Sequence, residues 1–207
     1  MKPLAESPSP AARDAEVNGA PPRIGPLAQS ELGAEALAYC KELRVILGIP
    51  ENEEVPEVTA TMLRHPALND AQTQMGIMLA AQGALSQRER ELTVLRGAWI
   101  TGAPFEWREH VDIAKRCGIT GEEIERIVAG SSAPGWSRHE GAIIKAVEEL
   151  FDRYQISDAT WAVLAESWDE RQLLEFPILV GVYAATAMQQ NSIRARLRGG
   201  NTGLAHR

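Results

Sequence analysis

Cysteine is nearly missing from this chain: Cys40 and Cys117 are the two in 207 residues. Two thiols cannot build a disulfide framework, and their separation fits no zinc-ligand spacing. Basic residues are in deficit as well, 21 against 28 acidic, for a net charge of −7. That balance excludes the basic stripe of a nucleic-acid binder. Long apolar runs are lacking, because the longest, Phe176 to Met188, is interrupted by Pro177 and is too short to span a bilayer. Met1–Pro10 has one lysine and no apolar stretch after it, so no secretory signal is read there. No glycine-rich loop is placed to cradle a phosphate, and no serine or cysteine has a base beside it in sequence. These absences predict a reduced, soluble, cytoplasmic protein with neither nucleic acid nor membrane as partner.

What is present reads as helix after a proline-rich start. Six of the twelve prolines fall in the first 26 residues, among Ala, Ser, Glu and Gly. Such a segment offers little apolar surface against its ordering entropy, so residues 1–28 are expected to form a disordered arm. Residues 29–198 are expected to form one all-helical domain, and 199–207 a flexible tail. Capping boxes stand at Ser86-x-x-Glu89, Thr120-x-x-Glu123 and Ser137-x-x-Glu140. Gly118 suits a left-handed helix stop, and Asp158 suits a further cap. Apolar positions between these signals recur every 3 to 4 residues, and no β-branched run alternates. The spacing predicts helices over 30–47, 57–63, 66–83, 87–101, 104–117, 121–129, 138–153, 159–166 and 170–197, with a kink or break at Pro177.

On the helix from Pro104 to Cys117, Glu106 and His110 lie within the apolar stripe of Ile113, Ala114 and Cys117. Arg108, Asp112, Lys115 and Arg116 take the opposite side. Four residues apart, the carboxylate and imidazole stand side by side and close enough to share a proton. The preceding helix repeats the pattern: Glu91 sits among Val94, Leu95 and Ala98, while Arg88 and Arg96 lie toward its flanks. Antiparallel packing would let Glu91, Glu106 and His110 line one cavity, a setting that tunes groups for proton transfer. The same pattern also fits a buried structural pair, a joint between two subunits, or two ligands of a metal that lacks a clear third. Trp107, beside Glu106, is a candidate pocket wall; Trp99, Trp136, Trp161 and Trp168 read as core. His65 reads as a local cap, His139 as exposed, and His206 as part of the frayed tail.

The stretches Leu85–Arg96, Phe105-Glu-Trp-Arg-Glu-His110 and Cys117–Ile124 resemble the carboxymuconolactone decarboxylase family. The resemblance continues through Ile156–Trp161 and Val180-Gly-Val-Tyr183, and covers about residues 55–195. It implies an all-α, AhpD-like fold and a homo-oligomer, commonly a trimer or hexamer. The peroxidase branch of that fold carries Cys-x-x-Cys-x-x-x-His with a relay glutamate on the preceding helix. Aligned on His110, the two cysteine positions hold Ala103 and Glu106, and the relay position holds Glu91. Both redox cysteines are therefore replaced, which disfavours thiol peroxidase chemistry. The resemblance implies instead a decarboxylase-like lyase that works without a cofactor or metal on a small unsaturated, carbonyl-bearing acid or lactone. Isomerisation or dehydration would use the same groups. In that reading His110 is the acid/base, Glu106 tunes it or shares its proton, and Glu91 completes the relay. Trp107 and Arg96 are the substrate-binding candidates, although the wheel position of Arg96 favours a structural ion pair over a substrate carboxylate. The alternative is a helical oligomeric binding or scaffold protein in which the polar pair only holds an interface.

Overall fold

A hydroxyl or carboxylate that can accept free amides opens most of the helices. In the computed structural model, residues 9–34, 37–38, 41, 57–197 and 202–207 are described. Helices run over α1 (Pro10–Asn18), α2 (Glu57–Met62), α3 (Pro66–Ala81), α4 (Gln87–Thr101) and α5 (Pro104–Arg116), then over α6 (Gly121–Ala129), α7 (Arg138–Arg153), α8 (Asp158–Ala165) and α9 (Glu170–Ile193). No strand occurs among the described residues. The described residues are all-α, as expected. Most of the helix expected over 30–47 lies outside the described residues, as does Cys40.

The boxes that open α4 and α6 close reciprocally: Ser86 and Thr120 accept the amides of Glu89 and Glu123, whose carboxylates accept the cap amides in return. The third box is only half made. Ser137 accepts the Glu140 amide, but the Glu140 carboxylate takes the Ser137 hydroxyl at 2.8 Å and Arg88 Nε at 2.9 Å. Arg88 also reaches Glu123, so one guanidinium ties the starts of α4, α6 and α7 together. His65 caps α3 by accepting the Leu68 amide. Ser157, one residue before the expected Asp158, caps α8.

Helix α4 is the axis of the molecule. Residues Glu91 to Ala98 are all buried, and Leu92, Leu95 and Ala98 have no exposed surface. Helices α5, α6, α7 and α9 pack around it, so it has no free flank. The expectation that Arg96 lies at a flank therefore fails. Helix α9 runs unbroken through Pro177, contrary to the expected kink or break. The proline removes one backbone donor, while Leu173, Phe176, Leu179 and Val180 bury the turns on either side of it.

Two segments depart from the disorder expected of the ends. Ser9 caps α1 and Pro10 takes a first-turn position that has no need of an amide. Arg13 then anchors α1 by donating to the carbonyls of Gly102 and Thr101 at 3.1 and 3.3 Å. At the other end Gly203–Ala205 forms a 3-10 turn against α5 and α1, with Leu204 only 3% exposed. The remaining residues of the arm, 1–8, lie outside the described residues.

Candidate active site

The turn between α4 and α5 sets the geometry. Gly102 adopts a left-handed conformation (φ 55°) that ends α4, and the Ala103 amide donates back to the Ala98 carbonyl at 2.9 Å. A substituent on Gly102 would meet the Arg13 side chain at 2.7 Å, so this position needs glycine twice over. The chain reverses there, and His110 on α5 comes level with Glu91 on α4. His110 Nδ1 and Glu91 Oε2 are 2.7 Å apart. Glu91 is 1% exposed and the His110 side chain 14%.

Glu106 is buried on the same face of α5 but makes a different environment. Neither of its oxygens has a hydrogen-bond partner. Burial alone pushes its carboxyl well above the usual carboxylate range, so the group favours its neutral form. The proton-sharing pair expected between Glu106 and His110 is not made. The imidazole turns across the hairpin to Glu91 instead, where the preceding helix offers a carboxylate at hydrogen-bonding distance.

Tyr183 completes the group, and no motif of titratable residues pointed to it. From α9 its ring packs edge-on against the His110 imidazole, with centroids 5.1 Å apart and planes at 83°. Burial, then the charges of Glu91 and of Glu106, raise its phenol above the ordinary value. Glu91, Glu106 and Arg90 thus all stand within electrostatic reach of that ring. The one signal in the sequence was Tyr183's place in the Val180-Gly-Val-Tyr stretch. Cys117, at the end of α5, donates to the Ile113 carbonyl at 3.0 Å. Burial first, and the Glu91 charge second, raise its thiol above the ordinary value, which opposes formation of a thiolate.

The two remaining expected site residues point elsewhere. Arg96 donates to the carbonyls of Ile127 and Val128 at 2.8 and 2.9 Å and to Glu148 Oε1 at 2.8 Å. Glu148 also accepts the Ser131 amide and hydroxyl. This is a structural network between α4, α6 and α7, in which the buried Arg96 Nε is left without a hydrogen-bond partner. Trp107 is fully buried and turned to the C-terminal segment, its indole Nε1 donating to the His206 carbonyl at 2.9 Å. Arg207 lies over Trp99 and Trp107 at 5.3 and 5.5 Å. His206 is no frayed residue, since its Nε2 lies 3.0 Å from Asp112 Oδ1. His139 is half-buried rather than exposed: its Nε2 sits 2.9 Å from Glu89 Oε1, and its ring packs edge-on to Trp168. Among the described residues no group of three or more His, Cys, Asp or Glu is gathered as a metal site. No described helix is long and apolar enough to cross a membrane.

An all-helical AhpD-like domain with a carboxylate–imidazole pair bridging its central hairpin is the class of protein that fold and site define. Residues 66–149 match the model of the carboxymuconolactone decarboxylase family. Solved structures carry the same fold. An uncharacterized peroxidase-related protein with an alkylhydroperoxidase AhpD core, from Ralstonia eutropha JMP134, superposes with a TM-score of 0.70 at 16% identity, over 87% of this chain and 95% of that one. An uncharacterized peroxidase-related protein from Silicibacter sp. TM1040 gives 0.69 at 18% identity, over 82% and 88%. The debrominase Bmp8, in complex with 2,3,4-tribromopyrrole, gives 0.69 at 13% identity, over 85% and 91%. No curated protein matches the chain significantly.

Proposed function

We propose that the chain is a cofactor-independent acid/base lyase of the carboxymuconolactone decarboxylase type, acting on a small unsaturated, carbonyl-bearing acid or lactone. The observation that carries the reading is the 2.7 Å His110–Glu91 contact beside a buried Glu106 with two unpartnered oxygens. A buried carboxyl without a partner is costly in a purely structural role. It becomes useful where a substrate oxygen completes it.

In a decarboxylation the bond to the leaving carboxylate breaks, its electron pair enters the conjugated carbonyl, and carbon dioxide departs. The negative charge gathers on the carbonyl oxygen, where the neutral Glu106 carboxyl can donate a hydrogen bond. The dienolate carbon then takes a proton from the His110 imidazolium at Nε2, the nitrogen not turned to Glu91. Glu91 fixes the ring and balances its positive charge, and water restores the proton. Isomerisation or dehydration would use the same set without the loss of carbon dioxide. A thiol peroxidase mechanism finds no support in the protonated, hydrogen-bonded Cys117.

The test is turnover of a carboxylated unsaturated lactone, followed by carbon dioxide release. His110→Ala and Glu106→Gln should each lower turnover by roughly 100-fold or more while the helical spectrum is kept. Full activity in both variants sinks the reading. If both instead lower the assembly state or melting temperature and no ligand effect is seen, the scaffold reading takes its place. A homo-oligomer is part of the proposal. Leu174, Ile178 and Met188 are 72%, 53% and 63% exposed along one side of α9, an apolar stripe suited to a second copy.

A further inference from the structure

The site needs a cation if its substrate is an acid, and the arginines of its two helices can be sorted. Arg88 is held by Glu123 and Glu140. Arg96 is held by Glu148 and two carbonyls. Arg108 is held by Asp112. Arg116, in the last turn of α5, is exposed. Arg90 differs from all four. Its Nη1 donates to the Ala80 carbonyl at 2.9 Å, which fixes the guanidinium at the end of α3. Its Nε meets Glu91 Oε1 at 3.4 Å, a long contact, and Nη2 has no hydrogen-bond partner among the described residues.

We propose that Arg90 is the residue that binds the anionic group of the substrate, through Nη2, next to the Glu91–His110 pair. The proposal rests on the acid/base reading above and supplies the carboxylate-binding role expected of Arg96. Three observations agree. The side chain is 11% exposed, so it is largely fixed but still reachable. Its partner Glu91 already faces His110 with the other oxygen, so Arg90 sits one carboxylate away from the imidazole. Its charge acts at Tyr183, whose ring packs against His110, and at Cys117 at the end of α5. A planar guanidinium with a free edge suits a carboxylate better than an ammonium would. In a decarboxylase such a cation belongs on the carboxylate that the substrate keeps. Pairing with the departing one would stabilise the ground state and oppose its loss.

The experiment compares two probes, a butenolide carboxylate and its methyl ester, whose binding to the His110→Ala protein is measured by calorimetry. The acid should bind roughly 10- to 100-fold more tightly than the ester, the range of a charge-assisted hydrogen bond. Adding Arg90→Met should abolish that preference and leave ester binding unchanged, and Arg90→Lys should restore part of it. Equal binding of acid and ester, no binding of the acid, or a preference that survives Arg90→Met would each overturn the proposal. The acid/base reading is judged separately, by turnover in the otherwise unaltered protein with and without His110. An active enzyme indifferent to Arg90 and an inactive protein that binds the acid through Arg90 are thus distinguishable outcomes.

Discussion

Replacing Glu106 by Gln should change how stability depends on pH, and the direction follows from burial. The carboxyl is 4% exposed, has no hydrogen-bond partner, and favours its protonated form far above the ordinary value of 4.5. In the unfolded chain the same group ionises near that ordinary value. Above it, and below the raised folded value, the folded state holds one proton that the unfolded state has lost. Stability from this group is fully present below the unfolded pKa and is lost as pH rises toward the folded one. Each pH unit in that window costs about 1.4 kcal/mol. Gln keeps the shape and the unpartnered polarity but cannot ionise, so its own cost does not vary with pH. Urea denaturation of both proteins between about pH 5 and about pH 7 reads the difference in slope. The wild type should lose stability relative to Glu106→Gln as pH rises. Parallel curves would show that Glu106 has found a partner or solvent, and would remove the argument for a neutral acid in the site.

Three further outcomes are expected. Arg96→Met breaks a pair whose side chains are 7% and 12% exposed, and should cost about 3–5 kcal/mol in a urea titration. It should leave KM unchanged, and a raised KM without loss of stability would restore the substrate role. Trp107→Phe removes the indole bond to the His206 carbonyl and should cost about 1 kcal/mol, with faster amide exchange in residues 202–207. Leu174→Glu with Ile178→Glu places charge on the exposed stripe of α9. Sedimentation should then show a smaller assembly than the wild type forms, and an unchanged species would refute that interface.

The helix limits were legible because caps are local. A hydroxyl at Ser86 or Thr120 and a carboxylate three residues on satisfy amides within a single turn, so their spacing alone determines the start. The ends of the chain were not legible for the opposite reason. Arg13 finds its partners 88 and 89 residues away, at Thr101 and Gly102. The His206 carbonyl finds Trp107 99 residues away. Composition cannot foresee an acceptor at that separation. His139 escaped in the same way, since Glu89 and Trp168 reach it from other helices. Arg96 was misplaced because a helical wheel presumes one solvent-facing side, and α4 has none.

Within the site, periodicity selected the inward residues but could not choose their partners. Glu106 and His110 share a stripe, and so do Glu91 and the apolar residues of α4. Whether the imidazole pairs within its helix or across the hairpin depends on where the turn at Gly102 sets the two helices. The structure resolves this toward Glu91, and the choice has a chemical consequence. In the proposed mechanism the carboxylate paired with the imidazole orients it, while the carboxyl left behind is kept neutral by burial and is free to donate. In that mechanism two glutamates take different roles because their surroundings differ. The proposed division of roles therefore depends on the hairpin's register, and a substitution at Gly102 should disturb the His110–Glu91 contact.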